Sequence, residues 1–129
     1  MPEKLFKLDF PSSSGSGAQF RTLLRREIEL SLTGEDGQSA KLRFQGVVAY
    51  RCFYTPSLTA EMVHLAYDSI VDLGKTEELT AIQMRSDKWH NAHNQSVELK
   101  HLLTCFDDGP CYEFFCEGFV GTSKNTETK

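Results

Sequence analysis

Residues 99–119 read LKHLLTCFDDGPCYEFFCEGF, two apolar runs joined by Asp107-Asp108-Gly109-Pro110. Asp108-Gly109 signals a two-residue β-turn, because a type I′ turn needs positive φ at both central positions and Asp and Gly tolerate it best. Such a turn sets Phe106 opposite Cys111, Cys105 opposite Tyr112, Leu103 opposite Phe114 and His101 opposite Cys116. Side chains alternate across a strand, so this register sorts them into two faces. Leu99, His101, Leu103, Cys105, Tyr112, Phe114 and Cys116 form a face that reads as core. Leu102, Thr104, Phe106, Cys111, Glu113, Phe115 and Glu117 form the other, with Lys100 and Glu117 as a favourable cross-strand pair. That second face mixes charge with large apolar groups, so it is expected to be covered in part or to bind something.

Upstream, Phe20, Leu24, Ile28, Leu30 and Leu32 alternate with polar residues, which predicts a half-buried strand over residues 20–33. Gly34-Glu35-Asp36-Gly37-Gln38 reads as a turn, and residues 39–54 alternate again. A five-residue loop pairs Glu29 with Arg43 and Ile28 with Phe44, so charge and apolar pairing agree. Gly46 then faces Arg26, which marks a bulge site. Thr55-Pro56-Ser57 starts a helix whose stripe is Leu58, Met62, Leu65, Ala66, Ile70 and Leu73, with Gly74 as its stop. Thr76-Glu77-Glu78 looks like a second helix start, although LTAIQMRS (79–86) also suits a strand. DKWHNAHNQ (87–95) reads as a loop. Residues 4–10 suit a short strand and 11–17, PSSSGSG, a flexible loop.

With 129 residues, 40% hydrophobic and 25% charged, one domain with a sizeable core is expected. Its span is residues 1–122, with 123–129 as a disordered tail. No apolar window is long enough to cross a bilayer, and the start, MPEKLFKLDF, has no signal-peptide core. A cytoplasmic protein is therefore expected, with no membrane partner. The net charge of −4 and the Glu27 and Glu29 interruptions among the arginines argue against nucleic acid. Four cysteines, at 52, 105, 111 and 116, have no zinc-finger spacing. In the two-residue-turn register Cys111 points away from Cys105 and Cys116, so buried reduced thiols are expected. No phosphate loop, nucleophile elbow or HExxH motif is present, and no cofactor is expected.

Several clusters carry chemistry-bearing residues. Glu61, His64 and Asp68 fall on one face of the first helix, and His90 and His93 flank Trp89. Both sets have metal-ligand types, and both also read as solvated surface. His101 opposite Cys116 suggests thiolate activation or a core histidine beside a buried thiol. Asp107 and Asp108 are explained by turn chemistry. With Glu113 and Glu117 beside Phe115 and Phe106, they make an acidic and aromatic surface that suits a basic protein partner.

The segments GVVAYRCFY (46–54), VDLG (71–74) and FDDGPCYEFFCEGF (106–119) resemble those of small bacterial α+β proteins, a group that includes immunity proteins neutralising secreted toxins. The resemblance covers residues 40–119, implies a binding role, and carries no active site with it. The expected fold is a single α+β domain in β-β-α-(α)-β-β order. It has one antiparallel sheet of four or five strands and one main helix on one face. The expected function is a non-enzymatic protein-binding module acting through Glu113, Phe115, Glu117, Asp107 and Asp108. The alternative is a small enzyme or ligand-binding domain using His64, His101, Cys116 or a carboxylate between helix and sheet. A homodimer through a strand edge or the hairpin's second face is a third.

Overall fold

A computed structural model of the chain describes residues 2–10, 18–34, 37–54, 59–91, 97–106 and 110–124. Within them the alternating runs become β1 Glu3–Lys7, β2 Ala18–Thr22, a 3₁₀ turn Leu24–Arg26, β3 Ile28–Thr33, β4 Ser39–Gln45 and β5 Ala49–Tyr54. Then follow α1 Ala60–Ala66, β6 Ser69–Asp72, α2 Glu77–Asn91, β7 Lys100–Cys105, β8 Pro110–Cys116 and β9 Gly118–Lys124. The α+β class and antiparallel strand pairing match the expectation. The single sheet does not: there are two, one in the order β1-β6-β7-β8-β5 and one in the order β2-β3-β4-β9.

The two sheets pack face to face. Phe44 on β4 stacks on Phe114 of β8 with ring centroids 3.9 Å apart. Leu30, Leu42, Ile70 and Leu102 fill the same cluster. Truncating either phenylalanine to alanine would cost about 3–5 kcal/mol. The helices cover the other face of the five-stranded sheet. Ala66 of α1 packs with Val71, Leu103, Cys105 and Cys111, and Leu79 of α2 packs with Leu99 and Phe115. The molecule is thus three layers, with the five-stranded sheet in the middle. Residues 101–106 and 111–116 are all buried because both faces of their sheet are covered. No described helix is long and apolar enough to cross a membrane.

The register of β3 on β4 is as expected, with Glu29 paired to Arg43, Ile28 to Phe44, and residues 34–38 as the connection. The strand expected over 20–33 is cut in two. Arg25 and Arg26 take left-handed backbone at φ 61 and 60, and the resulting turn folds β2 back onto β3. The run 39–54 is also cut, at Gly46 (φ 60), where the chain leaves one sheet for the other.

The long helix ending at Leu73 is a second correction. Residues 55–58 lie outside the described residues, and α1 is only seven residues, capped by Thr59, whose hydroxyl accepts from Met62 N at 3.2 Å. Asp68, at φ 51, turns the chain into β6. Ile70 and Val71 are β-branched and suit a strand. They bury on opposite sheet faces, Ile70 between the sheets and Val71 under α1. The main helix is instead α2, fifteen residues long, which continues as far as Asn91 into the segment read as a loop, whose remaining residues lie outside the described ones. Finally, Ser123 and Lys124, expected in the tail, belong to β9.

Candidate functional site

The hairpin register differs from the expected one by a single residue. Cys105 faces Cys111, Leu103 faces Glu113, Leu102 faces Phe114 and His101 faces Phe115. Phe106 lies past the end of the ladder with its ring buried in the core between the sheets, 3% exposed. A one-residue slip changes which side chains share a face. Here it sets Glu113 beside His101 and sends Cys116 to the opposite face.

The result is an ionic network between α2 and the sheet. His101 is 2% exposed and Glu113 5%. His101 Nε2 lies 2.7 Å from Glu113 Oε2, and the imidazole stacks on Phe115 at 4.3 Å. His101 Nδ1 lies 2.6 Å from Thr76 Oγ1. Thr76 is also the cap of α2, accepting from Leu79 N at 3.1 Å. On the other side, Arg51 Nε donates to Glu113 Oε1 at 2.6 Å, and Arg51 Nη2 pairs with Glu78 Oε2 at 2.7 Å. Burial pushes the Glu113 carboxyl up, but hydrogen bonds and charge from His101 and Arg51 outweigh it and hold the group below the usual carboxylate range. Burial lowers Arg51, and Glu113 and Glu78 more than reverse it.

Glu78, His101 and Glu113 bring their ligand atoms within 4.8 Å of one another, a donor set of the type that holds zinc. Arg51 already supplies the positive charge between the two carboxylates, and both His101 nitrogens have partners. Thr76, His101 and Glu113 follow the hydroxyl–imidazole–carboxylate order of a nucleophilic triad. Yet the Thr76 oxygen is occupied as a helix cap, with its hydroxyl against Nδ1. The network answers its own charges and reads as a clamp joining α2, β5, β7 and β8.

The other expected site residues are dispersed. Glu113 and Phe115 are buried under α2, so neither belongs to a contact surface. The carboxylate of Glu117 is partly exposed and pairs with Arg26 at 3.5 Å, not with Lys100. Asp107 and Asp108 lie outside the described residues, as do His93 and the side chain of His90. Glu61 and His64 are exposed on α1, but Asp68 sits beyond its end, 8% exposed, so the three share no helix face. Burial pushes the Cys116 thiol up to about 12, and it raises Cys105 and Cys111 likewise. These thiols are inert as nucleophiles. All four cysteines are free, and Cys52 is exposed.

The open concave surface lies elsewhere. A groove of about 490 Å³ runs between α2 and the segment joining β4 to β5. Val47, Val48, Ala49 and Ile82 line it together with Arg26, Arg85 and Trp89, the last 57% exposed. Arg85 has no ion pair among the described residues. A second groove, about 320 Å³, shares Arg26 and Val47–Ala49 but is walled by Leu23, Ile28 and Tyr50 on the side of the four-stranded sheet. Two signals in the sequence pointed here. Arg26 breaks the alternation of its run, and Arg85 and Trp89 stand four apart, neighbours on a helix face. No family model matches the chain, and neither a curated protein nor a solved structure matches it.

Proposed function

We infer that this protein is a non-enzymatic protein-binding module, of which an immunity-like inhibitor is one form, and that its contact surface is the groove beside α2. The observation that carries this reading is the groove's combination of apolar lining residues, the exposed Arg85, which has no ion pair among the described residues, and a half-exposed tryptophan. Tryptophan and arginine dominate binding energy at protein interfaces. Glu113 no longer argues for a basic partner, because it is buried against His101 and Arg51. Among its described lining residues the larger groove has Arg26 and Arg85 and no acidic side chain, which favours an acidic partner segment.

The test is selection of nine-residue peptides from a random displayed library on the full chain. Arg85→Glu and Trp89→Ala are each expected to weaken the selected peptides at least tenfold. Both residues are exposed, so Tm should stay within about 2 °C of the parent. Peptides indifferent to both substitutions would remove the groove as the contact surface.

A further inference from the structure

Resting on that reading, we propose that the occupant is an extended acidic segment of another protein, added as a further antiparallel strand to the free edge of β5. Three observations converge on this mode. First, β5 is the last strand of its sheet and bonds only to β8 among the described residues. Its outer edge is a row of amides and carbonyls with no strand against it among the described residues. Natural sheets guard such edges with charged side chains, proline or bulges, and the one charge in Ala49–Tyr54, Arg51, is engaged by Glu113 and Glu78. It presents Tyr50 and Tyr54, 48% and 65% exposed.

Second, the two grooves share Val47–Ala49, with α2 lining the larger and Leu23 and Ile28 lining the smaller. The Val47 amide is held by Arg26 O at 2.8 Å, so the open edge begins at Ala49. An added strand points successive side chains to opposite faces, with same-face neighbours about 7 Å apart. It therefore feeds alternate side chains into the two grooves. Main-chain bonds supply affinity in this recognition mode, and pockets for alternate residues supply specificity.

Third, charge divides the grooves. The larger has Arg26 and Arg85 with apolar lining residues, whereas the smaller sets Arg26 against Glu27. The partner segment thus carries an acidic residue and an apolar residue two positions apart, both facing α2. An uncharged aliphatic residue stands between them, facing the four-stranded sheet. The incoming carboxylate takes over Arg26 from Glu117, whose contact is long at 3.5 Å and partly exposed.

The experiment takes the best peptide from the library and methylates its backbone nitrogens one at a time. Strand addition predicts a period of two: methyl groups at alternate positions each weaken binding about tenfold or more, the intervening ones little. Exchanging the peptide's acidic residue for lysine should abolish binding to the parent chain and restore it to Arg85→Glu. Loss of Arg85 dependence with no methylation period would overturn the proposal. So would a peptide that needs Arg85 and Trp89 yet tolerates every methyl group, although the binding-module reading would then stand. Failure to select any groove-dependent peptide would overturn both. Sedimentation of the full chain as a dimer with β5 amides protected from exchange would also overturn it, in favour of a second copy on that edge.

Discussion

Glu113 is the residue on which the helix layer and the sheet meet. Removing it leaves the buried His101 Nε2 without its partner and frees Arg51 from its buried carboxylate. Breaking a buried pair in this way costs about 3–5 kcal/mol, so Glu113→Ala should lose that much in urea unfolding. Arg51→Ala should lose only about 1 kcal/mol, because its side chain is half exposed. The pH dependence has a definite sign. The folded carboxyl titrates below its ordinary value, so its contribution is complete above the unfolded pKa of about 4.3 and is lost as pH falls through the lower folded value. Stability should therefore decline on acidification in that range, and Glu113→Gln should flatten the decline. A second pair of predictions has opposite signs. Arg25 holds φ 61 without being glycine, so Arg25→Gly should stabilise by about 0.5–1 kcal/mol. Gly46 holds φ 60, and a Cβ there would collide with the Glu117 carboxyl. Gly46→Ala should therefore destabilise by about 1–2 kcal/mol or more. Thermal unfolding of the two variants side by side checks both.

At the level of elements, the β3–β4 register was legible because one pairing satisfied two independent requirements, Glu29 with Arg43 and Ile28 with Phe44. The β7–β8 register was not, for a physical reason. Alternation specifies register where one face is wet, but every residue of 101–106 and 111–116 is buried. A slip by one therefore exposes nothing, and turn preference alone was left to choose the register. The cluster of His101, Glu113, Arg51 and Thr76 was hidden behind that slip. The α1–β6 boundary was hidden by Ile70, which fits the helical stripe and the strand equally well. The length of α2 was hidden by its polarity, since Leu79 and Ile82 alone mark its inner face. Leu103, 1% exposed beneath α1, fits both registers. Leu103→Asp should accordingly prevent folding, as a buried charge without a partner does. Amide exchange should be slowest in β7 and β8, the interior of the middle layer, and fast along the outer edge of β5.

Across the whole molecule, residues 39–54 and 110–124 form one long antiparallel ribbon. Its first arm, β4 with β9, lies in the four-stranded sheet, and its second, β5 with β8, lies in the five-stranded sheet. The ribbon bends at Gly46 and Gly118, and Glu117 N bonds Gln45 O at 2.9 Å across the corner. The pairing shifts by one residue there, from Gln45 opposite Gly118 to Ala49 opposite Phe115, as a bulge requires. That corner has a kinetic consequence. Neither sheet can be completed until strands far apart in the chain have met, since residues 55–109 form the loop that the ribbon closes. The entropy of that closure must be surmounted before its contacts reward it. Refolding should be a search for the corner followed by rapid zipping of both arms, on the millisecond-to-second scale of topologies rich in distant pairings. The loss in Gly46→Ala should then fall mainly on the refolding rate, whereas changes at the outer edge of β5 should leave that rate alone and act on unfolding.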